Sequence, residues 1–143
     1  MLKSFLLLSA ACLFVFTPAA TQASNPQDTT PAPAPTPAAS ATNPVKPTAE
    51  SQAKAKGLYQ IDCAMCHGDN GNGQTDIAKS MSLTMTDFSD PKTLTGTPDG
   101  QLFGIIRNGK DKMPPEAAGR ANDNSVWNLI VYIRNMSKVQ AAK

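Results

Sequence analysis

The stretch "IDCAMCHGDN", residues 61–70, holds Cys63, Cys66 and His67, which are two of the chain's three cysteines and its only histidine. So few of these residues, gathered within five positions, call for a chemical reason. Cys-x-x-Cys-His is the attachment signature of c-type haem. Two thiols three residues apart can add to the two vinyl groups on one edge of a porphyrin. The histidine that follows then lies under the iron and offers an imidazole nitrogen.

Other chemistries fit the same residues less well. A thioredoxin-type dithiol also uses Cys-x-x-Cys, but between a strand and a helix of a βαβ unit, and strand signals are weak along this chain. A structural zinc site needs four ligands. After removal of an export signal the chain offers two cysteines and one histidine. A Cys63–Cys66 disulfide would close a tiny loop and stabilise little.

Moving outward to the N-terminus, Lys3 precedes the apolar run "FLLLSAACLFVF" (5–16), then Pro18 and the small residues of "TPAATQAS" (17–24). This is the grammar of a secretory signal, read as residues 1–23, and the run is too short for a spanning helix. Cys12 in "LSAAC" (8–12) is one residue off a lipobox and reads as an ordinary cysteine of the signal, so a lipid anchor there is not expected. Residues 24–49, including "TTPAPAPTPAASATNPVKPTA" (29–49), are rich in Pro, Ala and Thr and read as an extended tether. The folded domain is then 50–143. It carries 11 Lys and Arg against 10 Asp and Glu. Neither this balance nor any basic run suggests nucleic acid.

Within the domain three helices are expected, and the class is small and all-α. The first runs over about 49–65. The second is "TPDGQLFGIIRNG" (97–109), with Thr97 as cap, Pro98 at the first position and Gly109 at the exit. The third is "NDNSVWNLIVYIRNMSK" (122–138), capped by Asp123 or Asn124. Its centre, "LIVYI" (129–133), is apolar nearly all round and should be buried on more than one side. The long polar loops 68–96 and 108–121 would be awkward in so small a domain unless they wrap a bound group.

With one histidine, a second axial ligand within the chain falls to methionine. Met65 lies inside the motif and cannot reach over the haem, and Met136 reads as packing on the third helix. Met113, in "NGKDKMPPEAAG" (108–119), is favoured because two prolines stiffen its loop, with Met81 and Met85 still open.

These residues together resemble a class I monohaem cytochrome c. "GLYQIDCAMCHG" (57–68), "GNG" (71–73), "LFGIIRNGKDKMPP" (102–115) and "VWNLIVYIR" (126–134) match the family's elements in order. The resemblance implies three main helices around one covalent haem c, with Cys63 and Cys66 as thioethers and His67 and Met113 axial. It also implies that Gly57 lets the first helix cross closely against the last, near Trp127 and Tyr132. The loop after "GNGQ" lacks the proline whose carbonyl often receives the proximal histidine's N–H, so another carbonyl is expected to orient His67.

The function expected is that of a periplasmic one-electron carrier, not an enzyme. It would be a monomer with no membrane span after signal cleavage. Its partners would be a donor dehydrogenase or cytochrome complex and an acceptor oxidase or reductase. Two rival readings are a tethered electron-transfer subunit of a redox complex, and a haem-based sensor or peroxidase with an open sixth position.

Overall fold

A computed structural model describes residues 37–141, with side chains through Lys138. The signal at 1–23, Cys12 and residues 24–36 of the tether lie outside the described residues. Among the described residues five helices follow in order: α1 (Ala49–Asp62), α2 (Ala64–His67), α3 (Asp76–Ser80), α4 (Asp99–Asn108) and α5 (Asp123–Ala141). Among the described residues there is no strand, and one isolated bridge pairs Lys110 with Met113.

α1 begins where Thr48 and Ser51 form a capping box. The Thr48 hydroxyl accepts from the Ser51 N–H at 3.1 Å, and the Ser51 hydroxyl accepts from the Thr48 N–H at 2.9 Å. Two otherwise orphaned donors are satisfied in this way. α4 starts with Pro98 as its N-cap and no side-chain cap bond, so the Thr97 capping read from sequence does not form. Thr97 instead offers its carbonyl to the Arg134 guanidinium. α5 is capped one residue earlier than expected, by Asn122, whose side-chain oxygen accepts from the Ser125 N–H at 2.9 Å.

α5 is the central element, packing on both α1 and α4. Val126, Leu129, Ile130, Ile133 and Met136 form its buried stripe, together with Trp127. Phe103 of α4 meets Trp127 with ring centroids 4.4 Å apart, and Tyr59 of α1 meets Tyr132 at 5.4 Å. Each such side chain, fully buried, contributes roughly 1.5–3 kcal/mol. The all-round apolar centre of α5 is thus explained by two partners on different sides.

Gly57 is not what brings α1 against α5. A Cβ added there meets nothing within 4 Å, so space is available at that position. Ala55 and Tyr59, one helical turn apart, are the residues α1 buries.

Residues 38–45, read from composition as tether, lie against the helices. The Asn43 amide donates to the Trp127 carbonyl at 3.0 Å, Gly100 N–H donates to the Ala41 carbonyl at 3.0 Å, and Val45 packs on the core. Gly100 has no room for a side chain, because a Cβ there would collide with the Ala38 carbonyl. The preceding loop is held by Arg134, which pairs with Asp99 and donates to the Leu94 carbonyl at 3.1 Å.

Candidate functional site

Cys63 stands where α1 ends, its N–H donating to the Tyr59 carbonyl at 2.9 Å, and α2 follows at once. The end of a helix leaves carbonyls without intrahelical partners. Here three successive ones are each taken by a different element. The Cys66 carbonyl accepts from the Thr75 hydroxyl at 3.2 Å, the His67 carbonyl from Gly73 N–H at 2.8 Å, and the Gly68 carbonyl from the Tyr59 hydroxyl at 2.8 Å. Tyr59 is fully buried, and burial raises its pKa above the ordinary phenol value. The Cys-x-x-Cys-His segment is therefore pinned at its exit by α1, the glycine loop and the cap of α3.

Cys63 and Cys66 are both half-buried and unbridged. Burial pushes the Cys63 thiol up to about 12, with negative charge at Asp62, Glu116 and Cys66 acting in the same direction. A redox dithiol relies on a thiol of lowered pKa. Cys63 has the opposite environment.

His67 is half-buried, and burial lowers its pKa, which keeps the ring neutral and able to donate a lone pair. Its Nδ1 is buried with no hydrogen-bond partner. The carbonyl expected to orient the ring is not supplied by any described residue. The imidazole instead stacks on Phe88, with centroids 4.7 Å apart and planes 16° from parallel. Phe88 is the residue that sequence reasoning missed; a lone aromatic in a polar loop, "TMTDFSD" (84–90), was the available signal.

Met113 is half-buried and packs on the same core as Cys63 and Phe88. Its main chain pairs with Lys110 in both directions, at 2.8 and 3.1 Å. The turn needs Gly109, at φ 77°, where a Cβ would come within 2.6 Å of the Met113 carbonyl. Beyond the prolines, Glu116 N–H donates to the Ile106 carbonyl at 2.8 Å. Arg107 donates to the carbonyls of Glu116 and Ala121 at 2.8 and 3.0 Å and pairs with Asp123 at 2.8 Å. The loop is thus held by hydrogen bonds to α4 as well as by proline stiffness.

The other methionines are placed differently. Met65 and Met81 are exposed, Met85 packs against Gly73, and Met136 is buried with its sulfur beside Gly71. Among the described residues no group of three or more His, Cys, Asp and Glu side chains is placed to hold a metal ion. The donors present, two unlinked thiols a helical turn apart, a neutral imidazole and a half-buried thioether, fit a covalently attached haem.

Between the two halves of this site lies a charged cluster. Arg120 pairs with Asp62, beside Cys63, and approaches Glu116 at 3.9 Å. One Glu116 oxygen is buried without a partner. Burial and Asp62 raise the Glu116 pKa, with Arg120 and Arg107 opposing. A carboxyl whose folded pKa is raised favours the protonated form, so its contribution is fully present below the unfolded pKa and is lost as pH rises through the folded value. Glu116→Gln is expected to melt with the unsubstituted protein at pH about 4 and above it at pH about 8. Thermal unfolding at the two pH values checks this, and lower stability of the variant at the higher pH would show that the Arg120 pairing dominates.

The fold and these donors define a c-type cytochrome domain, an electron-transfer module. Residues 50–133 match the family described as "Cytochrome C oxidase, cbb3-type, subunit III", and the chain belongs to that family. It is similar to the Cbb3-type cytochrome c oxidase subunit CcoP of Azospirillum brasilense, 30% identical over 83 residues covering 58% of this chain and 28% of the relative. It is also similar to the Cbb3-type cytochrome c oxidase subunit FixP of Bradyrhizobium sp. (strain ORS 278), 25% identical over 92 residues, 63% of this chain and 30% of the relative. The chain therefore spans under a third of the length of these relatives. Among solved structures, the KustC0563 c-type cytochrome is 24% identical with a TM-score of 0.49, covering 57% of this chain and 95% of that one.

These matches correct the expected partnership. The chain was read as a monomer without a membrane span, meeting separate donor and acceptor proteins. Its relatives are instead named as subunits of an oxidase. No helix among the described residues is long and apolar enough to cross a membrane.

Proposed function

We propose that this chain is a tethered electron-transfer subunit of a cytochrome oxidase complex, carrying one covalent haem c on the exported side of the membrane. The observation that carries the reading is that the family match, 50–133, contains Cys63, Cys66, His67 and Met113 together. When bound, the haem supplies a one-electron Fe(III)/Fe(II) couple. The protein's part is to hold and tune it. Cys63 and Cys66 would hold the haem covalently, His67 would offer a neutral imidazole, and Met113 would offer a thioether from a loop that Arg107 ties down. A thioether held in this way would serve as a second protein ligand to the iron, which would favour electron exchange over ligand sensing or peroxide chemistry. The signal read at 1–23 supports export.

Tethering would need the apolar run 5–16 to be retained or Cys12 to carry lipid, and it would act from residue 37 outward to the N-terminus, since 38–45 already lie against α4 and α5. The test is to express the full chain with a cytochrome c maturation system and the core subunits of a cbb3-type oxidase. Covalent haem in the chain, co-purification with the oxidase and reduction of the bound domain ahead of oxygen consumption are expected. A haem-loaded chain that never associates with the oxidase would overturn the subunit reading, and a chain without covalent haem would overturn the whole.

A further inference from the structure

We infer that Phe88 is the positioning residue that sets the plane of the His67 imidazole, in the role that a hydrogen-bond acceptor on Nδ1 would otherwise fill. The inference rests on the reading of His67 as an axial ligand. Ligating histidines almost always donate their second ring N–H to a carboxylate, a carbonyl or water, which fixes the ring and raises its basicity. His67 departs from that pattern: Nδ1 is buried and has no partner. What the ring does have is a flat neighbour, Phe88, 4.7 Å away and 16° from parallel.

Phe88 is itself fixed from several directions. Its N–H donates to the Gly71 carbonyl at 2.7 Å, closing the polar loop back onto the glycine turn. Its Cβ and the Met136 sulfur both crowd Gly71, where an added Cβ would lie 2.9 Å from one and 2.7 Å from the other. Gly71 is also at φ 80°, in the region that favours glycine. The loop from Gly71 to Phe88 thus delivers an aromatic face to the imidazole, and α5 backs it through Met136.

Two consequences follow for a ring held by stacking alone. Once bound to a metal, it would resist rotation about that bond and would keep less negative charge on the coordinating nitrogen than a hydrogen-bonded ring. Phe88 therefore holds both the ligand orientation and the redox potential, upward in the latter case.

The test uses the full chain with haem attached, in three variants. Phe88→Tyr keeps the flat ring. Phe88→Leu and Phe88→Met keep an apolar filler without it. The readouts are the hyperfine-shifted haem methyl resonances of the ferric protein, which report the axial ligand planes, and the reduction potential. Phe88→Tyr is expected to keep the unsubstituted methyl pattern. The two non-aromatic variants are expected to reorder it and to lower the potential as Nδ1 gains access to water.

Unchanged methyl patterns and potential in either non-aromatic variant overturn the inference. Loss of haem from both, with normal loading of Phe88→Tyr, points to the same need for a flat face. An unsubstituted chain that takes up no haem would instead be a failure of the proposed function.

Discussion

Cys63→Ala combined with Cys66→Ala is expected to abolish covalent haem and leave the domain largely without fixed tertiary structure. Truncating a partly exposed thiol costs only about 1 kcal/mol by packing alone, at the low end of large-to-small changes. A collapse far beyond that figure would report the loss of the group around which the loops close. The reason lies in the architecture. Two of the three connections that enclose the site, 68–75 and 109–121, bury few apolar side chains of their own. A domain of this size gains much of its stability from such a group when one is bound. Haem staining on a denaturing gel and circular dichroism melting are the checks. Haem surviving denaturation in the double variant would rule out the attachment at these two thiols.

Met113→Ala is expected to leave haem attached, to remove the long-wavelength absorption of the thioether-ligated ferric state, and to lower the potential. Axial ligands command a range of roughly 0.8 V, and exchange of a thioether for water or a stronger donor uses a sizeable part of it. Met113 is only half-buried, so the packing loss should sit near 2 kcal/mol, the low end for Met→Ala. Met81→Ala and Met85→Ala serve as controls, since Met81 is exposed at a helix end and Met85 lies against Gly73. An unchanged spectrum and potential in Met113→Ala, or the loss appearing in one of the controls, would reassign the ligand.

Much of the fold was legible because it is local. The helices of the sequence reading reappear as α1, α4 and α5 within a few residues, and the two short helices α2 and α3 fall in a motif and a loop where periodicity is too brief to show. The all-round apolar centre of α5 correctly implied burial on two sides. The caps were less legible. Asn122 caps α5 instead of Asp123 or Asn124, and Thr97 serves Arg134 rather than α4, because several capping-competent residues stand side by side and tertiary partners choose among them. Composition alone put 38–45 in the tether, yet Gly100 and Asn43 dock that segment on the helices.

Kinship was legible only to the level of c-type cytochromes. The donors and their spacing name the cofactor and not the assembly. The family itself came from the match over 50–133.

By itself the sequence determined that two thiols and the one imidazole of "CAMCH" stay together, because five residues are held by about one turn of backbone whatever the rest of the chain does. It also offers no second histidine within these 143 residues. Tertiary structure decided how those groups are held. Phe88 reaches His67 across a long loop, Tyr59 reaches back to the Gly68 carbonyl, and Arg107 ties the Met113 loop to α5. These contacts depend on the path of loops whose course is set by burial and by hydrogen bonds to distant carbonyls, and neither has a period or a spacing that a sequence displays.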